Sequence, residues 1–129
     1  MAHARISFDH GSLTPAELAV VFAGLRADIT FVDAEGLVRY YSAYRIFSRT
    51  PACPDRDVLD CHTESSRPGI ARMLSEFASG WRDEAVFVEK KDGRNVNVRY
   101  SAVRDADGVY LGCLETAQWA DEASEGITP

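Results

Sequence analysis

The last third of the chain contains three segments of alternating apolar and polar residues, joined by two short turns rich in Asp and Gly. The middle segment, residues 95–104, shows the clearest alternation. One predicted face holds Val96, Val98, Tyr100 and Ala102, and the other holds Asn95, Asn97, Arg99 and Ser101. Because successive side chains of a strand point to opposite faces, one face is expected to be buried and one solvated. With strands at 83–90 and 109–119 and hairpin turns at 91–94 and 105–108, the pattern predicts an antiparallel meander.

The N-terminal half begins with a helix signal and continues with a hairpin. Thr14, Pro15 and Glu17 form a capping pattern that predicts a helix over 15–27. Its apolar stripe consists of Leu18, Val21, Phe22 and Leu25. Strand-like segments at 29–32 and 37–42 follow, and Gly36 in the turn between them is free to take a positive φ.

The middle of the chain is predicted to be mainly helical. Residues 43–48 suit one or two helical turns, and the prolines within 49–57 indicate a loop. A second helix is predicted from serine caps at Ser65 and Ser66 to a stop at Gly80. Its apolar face holds Ile70, Met73, Leu74 and Phe77.

These elements predict one α+β domain over residues 14–120, since 129 residues is the size of a single domain. We expect a five-stranded antiparallel sheet with short helices on one face and an N-terminal helix. Residues 1–13 are expected to form a flexible arm and 121–129 a flexible acidic tail.

Composition excludes several classes of protein. The formal charge is −6 with the acids spread along the chain, which disfavours binding to nucleic acid or to an anionic membrane. No window reaches the ~20 consecutive apolar residues of a membrane helix, and no signal-peptide core is present, so a cytoplasmic location is expected. Cys53, Cys61 and Cys113 lack paired-ligand spacing, so neither a disulfide framework nor a zinc site is predicted.

Four motifs stand in a defined order along the chain. They are Asp28-Ile29-Thr30-Phe31-Val32-Asp33 before a glycine turn, Tyr40-Tyr41-Ser42, the loop Asp60-Cys61-His62, and Asp92-Gly93-Arg94 followed by Tyr110-Leu111-Gly112. This series resembles the PAS domain, a small sensory fold that encloses a ligand pocket, although Thr63 replaces the family's usual proline. Together with 45–49 and 98–105, it is more narrowly similar to the PAS module of bacterial proteins that also carry a hemerythrin-like domain. The resemblance covers 18–119 and implies a sensor or interaction module rather than an enzyme.

The resemblance also implies a ligand pocket. The apolar candidates for its lining are Phe47, Leu59, Met73, Leu74, Phe77, Val98 and Tyr100, and the polar candidates are Tyr41, Tyr44, Arg45 and His62. Met73 is flexible enough to repack around different ligands. Because Arg45 and Arg49 are able to hold a carboxylate, the expected ligand is a small apolar or acidic molecule. In the alternative interpretation these residues only fill the core or face solvent, and periodicity does not separate the two.

Three other kinds of chemistry would use a histidine or a cysteine. An imidazole nitrogen at His62 would suit haem iron. Haem-binding PAS proteins usually take their ligand from within the long helix, which His62 precedes, so a structural role is preferred. The reactive-cysteine segment of light-sensing flavin PAS domains is absent, so no flavin photoadduct is expected. Cys61 and His62 are neighbours in an extended stretch and point opposite ways, so no catalytic pair and no enzyme are predicted.

Signalling is expected to work by population shift, in which a ligand favours one arrangement of the helical lid at 43–79. The sequence contains no effector domain and no iron-binding domain, so a partner kinase, a regulator of transcription or a neighbouring domain is expected to supply the output. The stripe at Leu18, Val21, Phe22 and Leu25 is predicted to form a homodimer interface, or else to fold back on its own sheet. A ligand-free interaction module and a haem-based gas or redox sensor remain the alternative functions.

Overall fold

The computed structural model describes residues 4–47 and 55–121. The expectations for Arg49, Cys53 and the acidic tail beyond Asp121 fall outside these residues. The described part consists of an N-terminal hairpin and helix, a five-stranded antiparallel sheet, and two further helical segments packed on one face of that sheet. The predicted α+β fold class is therefore confirmed. Within the described ranges, no helix is long and apolar enough to cross a membrane.

The N-terminal segment is more ordered than the flexible arm predicted for residues 1–13. Strands β1 (Ile6–Phe8) and β2 (Gly11–Leu13) pair as a hairpin. Arg5 stabilises this hairpin, because its guanidinium donates a hydrogen bond to Ser12 Oγ of β2 at 2.8 Å. The same guanidinium donates to Glu17 Oε1 at 2.9 Å. Both strands are only three residues long and mostly exposed, so they carry no apolar periodicity that a sequence pattern would reveal.

The first helix, α1 (Pro15–Ala23), begins at the predicted capping box. Thr14 Oγ1 accepts from the Glu17 amide at 3.1 Å, and Glu17 Oε1 accepts from the Thr14 amide at 2.8 Å. The helix ends earlier than the predicted residue 27, because Gly24 forms its C-cap and glycine is a poor helix former.

The central sheet has the strand order β4-β3-β7-β6-β5, and every neighbouring pair is antiparallel. Its strands are β3 (Asp28–Asp33), β4 (Val38–Tyr41), β5 (Glu84–Lys91), β6 (Arg94–Arg104) and β7 (Tyr110–Trp119). In β6, Val96 and Val98 are fully buried while Asn95, Asn97 and Arg99 are exposed, as the alternation predicts.

Strands β3 and β7 approach each other closely at Gly112. This glycine lies opposite Asp33 and has a φ of +148°. A Cβ atom at this position would meet the carbonyl oxygen of Val32, and would lie 2.9 Å from Asp33 Cα and 3.0 Å from the ring of Phe31. Only glycine fits here, because both the space and the backbone conformation exclude a side chain.

The long helix α2 (Arg67–Ser79) follows a 3₁₀ helix (Val58–Cys61) and packs on the inner face of the sheet. Gly80 ends α2 as predicted, with a φ of +82°. The predicted serine cap is wrong, because the Ser66 hydroxyl makes no capping hydrogen bond and instead lies 2.9 Å from Thr63 Oγ1.

The core is divided into two clusters that share Tyr100. The first lies beneath α2 and contains Val32, Val38, Val58, Met73, Phe77, Ala85 and Cys113. The second contains Ile46, Val96, Val98 and Ala117, with Tyr44, Phe47 and Trp119 packed against it.

A buried carboxylate attaches the segment after β4 to the sheet. Asp28 is 3% exposed, and its Oδ2 accepts from the amides of Ile46 and Phe47, both at 2.9 Å. Its Oδ1 lies 2.7 Å from Arg45 Nη1. Residues 43–47 form bends instead of the predicted helical turns, because these two amides bond to Asp28 rather than to preceding carbonyls.

Replacing the buried carboxylate should be costly. We expect Asp28→Asn to lower the free energy of unfolding by about 3–5 kcal/mol, because it leaves Arg45 without its charge partner in a buried site. The matched control is Asp83→Asn, which removes a 70% exposed carboxylate 3.4 Å from Arg104 and should cost no more than about 1 kcal/mol. Urea unfolding measures both, and equal losses in the two variants would contradict this role of Asp28.

Candidate functional site

A small cavity lies between α2 and the inner face of the sheet. Its volume is about 20 Å³, which is room for one water molecule. Five of the predicted pocket residues line it, namely Tyr41, His62, Met73, Leu74 and Tyr100. The remaining lining comes mainly from apolar side chains of β3, β4, the 3₁₀ helix and β7. As it stands, the cavity is far smaller than a metabolite.

Polar groups on the wall of this cavity come from several different elements. Thr30 of β3 is 3% exposed, and Glu115 of β7 points to the same inner face. The Tyr41 hydroxyl lies 3.9 Å from Cys61 Sγ. Among the described residues that line the cavity, Glu115 carries the only full charge, and no Lys or Arg is present.

A second and larger space opens on the other side of Met73. This groove has a volume of about 330 Å³ and runs between α2 and β5. Ser65, Ser66 and Gly69 line it from the start of α2, and Arg82, Phe87 and Glu89 line it from the opposite side. Its size lies at the lower end of the range for small-molecule sites.

The cavity and the groove share one wall. Ile70, Met73 and Tyr100 line both spaces. The Phe87 ring meets Tyr100 edge-on at 5.9 Å between centroids, and Phe87 remains 46% exposed in the groove. Met73 is a flexible side chain, so this shared wall is able to adapt its shape.

The other predicted pocket residues lie elsewhere. Leu59 and Phe77 pack in the first core cluster, where Phe77 is fully buried, and Tyr44, Phe47 and Val98 belong to the second. Arg45 lies on Asp28 and over the Tyr41 ring at 4.8 Å. The carboxylate that Arg45 holds is therefore one of the chain's own.

His62 caps the 3₁₀ helix and faces the small cavity. Its amide donates to the Leu59 carbonyl at 3.3 Å, and its own carbonyl accepts from Arg67 Nε at 3.3 Å. The space that His62 lines holds about one water molecule, so this geometry does not fit a haem. Among the described residues, no group of three or more His, Cys, Asp or Glu side chains is arranged to hold a metal ion.

Several residues that line the two spaces were not among the predicted pocket residues. Glu115 alternates with Cys113 and Ala117 in β7, so its inward position was available from the period of the strand. Phe87 stands between Val86 and Val88, and this apolar run hides which face is inward. Nothing in the sequence indicates that Arg82 lines the same groove as residues from the start of α2.

The predicted interface helix leaves its stripe largely uncovered. Val21, Phe22 and Leu25 are 47%, 38% and 41% exposed, and Leu18 is half-buried. Phe22 contacts the ring of Tyr40 on the outer face of the sheet at 5.8 Å between centroids. The helix thus folds back on its own sheet through one ring contact and still presents apolar surface.

Two described cysteines differ in their surroundings. Cys113 is 3% exposed, and burial followed by the nearby Glu115 charge raises its thiol pKa from 9.0 to about 12. Cys61 is only half-buried. Since the thiolate is the reactive form, Cys113 should be inert at neutral pH.

We expect iodoacetamide at pH 8 to alkylate Cys61 well before Cys113 in the folded protein, as followed by peptide mass spectrometry. Both should react alike in urea, and equal rates in the folded protein would contradict the burial of Cys113.

The raised pKa of Cys113 also makes the free energy of unfolding depend on pH. The contribution of this thiol is fully present below pH 9 and falls as the pH rises towards 12, because only the thiol of the unfolded chain ionises in that range. Cys113→Ala should reduce that fall.

Comparisons with known proteins agree with this architecture. A family model described as a PAS domain matches residues 18–118. A crystal structure of a C-terminal domain from Streptococcus mutans has a TM-score of 0.87 and 26% identity, and the match covers 97% of this chain and 98% of that one. The PAS domain of Bordetella pertussis BvgS has a TM-score of 0.59 and 14% identity, with 84% and 87% covered. The PAS domain of the histidine kinase ThkA has a TM-score of 0.54 and 17% identity, with 73% and 99% covered. No curated protein gives a match.

Proposed function

Since the chain belongs to the PAS domain family, we propose that it is a sensory module that binds a small apolar or acidic ligand and signals through association with another protein. The observation that carries the proposal is the shared wall formed by Ile70, Met73 and Tyr100 between the inner cavity and the groove. A ligand entering the groove meets a flexible methionine with further space behind it. That arrangement allows binding to alter how α2 packs on the sheet.

Of the two ligand classes, the lining favours the apolar one. The inner cavity is lined mainly by apolar and aromatic side chains, and the groove shares Ile70, Met73 and Tyr100 with it and adds the ring of Phe87. Among the lining residues that the structure describes, the inner cavity offers no Lys or Arg to an acid, and Arg45 already holds Asp28.

The signal would pass from α2 to surfaces that bind other proteins. A ligand that prefers one packing of the lid at 43–79 shifts the population towards the surface that this packing presents. The partner would be a kinase, a regulator or a neighbouring domain. The similar structures support this, since one is the sensor region of a sensor histidine kinase and another is the PAS domain of a histidine kinase. The cytoplasmic location and the narrower likeness to hemerythrin-associated PAS modules stay predictions, as does the absence of catalysis.

A second candidate is an interaction module that binds no ligand. The tight packing around the inner cavity favours it, because Met73 is 4% exposed and Phe77 is fully buried. The two candidates differ in whether the space beside Met73 accepts a guest.

Filling that space should abolish binding of an apolar probe. We expect wild-type protein to bind naphthalene with a Kd of about 1 mM or tighter, the range open to a ligand of this size. Met73→Trp should weaken binding about tenfold or more, because the larger ring occupies both sides of the shared wall. Saturation-transfer NMR measures binding, and thermal unfolding checks that the variant folds.

The matched control is Val86→Trp, which adds the same ring at a 54% exposed position of β5. It should leave naphthalene binding unchanged. Absence of naphthalene binding to the wild type would favour the ligand-free module, and undiminished binding to a folded Met73→Trp protein would place the probe elsewhere.

The exposed stripe of α1 supports a homodimer formed by this helix. We expect Val21→Asp to shift the protein towards monomer in analytical ultracentrifugation, because a charge would be buried in the apolar contact. Val20→Asp is the control, since Val20 is 72% exposed and lies beside the stripe rather than on it. Equal effects of the two substitutions, or a wild type that is monomeric at high concentration, would contradict this interface.

A further inference from the structure

The groove contains an incompletely satisfied arginine. Arg82 lines the groove, and its Nη2 lies 3.2 Å from Glu76 Oε1. Its guanidinium also lies 5.9 Å from the centre of the Phe77 ring. In the described part of the chain, Arg82 Nε is the one buried side-chain nitrogen or oxygen without a hydrogen-bond partner. Because buried donors are nearly always paired in folded proteins, this one indicates a missing acceptor.

The charges around Arg82 select the kind of acceptor. Glu76 already neutralises the guanidinium, and Glu89 places a second carboxylate on the wall of the groove. A ligand carboxylate would be a third acid beside one arginine. A neutral acceptor such as a carbonyl oxygen satisfies the donor without that repulsion.

The rest of the groove is suited to an apolar molecule. Ile70, Met73, Phe87 and Tyr100 form its apolar lining, and the half-exposed Phe87 ring would be covered by a ligand. Contact with these side chains supplies affinity, whereas Arg82 supplies orientation.

We propose that the groove binds a neutral, mainly apolar molecule whose carbonyl oxygen accepts a hydrogen bond from Arg82. This inference rests on the proposed ligand-binding function and names the ligand class. The Arg82 side chain is 38% exposed, so a ligand reaches the outer edge of its guanidinium. Nε itself is buried, so a ligand oxygen reaches it only if the Arg82 side chain turns towards the groove.

Three probes of nearly equal shape test the ligand class. 2-Acetylnaphthalene carries the carbonyl, 2-isopropenylnaphthalene replaces its oxygen with a methylene group, and 2-naphthoate carries a charge. We expect the ketone to bind about tenfold more tightly than the alkene, as one hydrogen bond to a charged donor allows, and the naphthoate to bind more weakly than the ketone. Ligand-observed NMR titration gives the three Kd values.

Two matched variants assign the difference to Arg82. Arg82→Met keeps an apolar side chain of similar length and should bring the Kd values of the ketone and the alkene together, because the donor is lost. Arg99→Met removes an exposed arginine that pairs with Glu84 and does not line the groove, and it should keep the preference.

The outcomes separate this inference from the function on which it rests. Equal binding of ketone and alkene, or a ketone preference that survives in Arg82→Met, overturns the role of Arg82 while leaving apolar ligand binding intact. Tightest binding of naphthoate overturns the neutral class. Failure of all three probes to bind overturns both proposals.

Discussion

The carboxylate of Asp28 connects the regular sheet to the irregular segment that covers it. One oxygen accepts two backbone amides of residues 46 and 47, and the other meets Arg45. A buried charge is tolerated only with such complete pairing. Ser42 supports the same junction, since its hydroxyl accepts from the Ile29 amide at 2.8 Å. Together these contacts place Ile46 in the second core cluster and Tyr41 beside the cavity, so the position of the candidate site depends on them.

The fold could be predicted from the sequence wherever its signals are local. The two-residue period of β6, the capping pattern at Thr14 and the glycine after α2 each have a short-range physical cause, and each predicted the observed element. The bends at 43–47 could not be predicted in this way, because the group that captures their amides lies some eighteen residues earlier in the chain. The N-terminal hairpin was missed because its exposed strands bury no apolar face.

The candidate site was predicted in part, for a similar reason. The helical period places Met73 and Leu74 on the inner face of α2, and both line the cavity. The period does not tell a lining residue from a packed one, and Phe77 on the same face is fully buried. Arg45 was predicted to bind a ligand because its partner in the structure, Asp28, is distant in the sequence and no local pattern links the two residues. Arg82 and Phe87 line the same groove as the start of α2 only through the tertiary fold, which no local pattern encodes.

The glycine at position 112 also determines how β3 and β7 align. A slip of one residue along this pair would bring Leu111 or Cys113 opposite Asp33, where the Val32 carbonyl and the Phe31 ring leave no room for a side chain. The same slip would turn the inward residues of β7 outwards, including Glu115. Gly112 therefore favours the observed register between β3 and the central strand β7. A misaligned pairing of these two strands therefore carries a steric penalty of its own, separate from the loss of core packing.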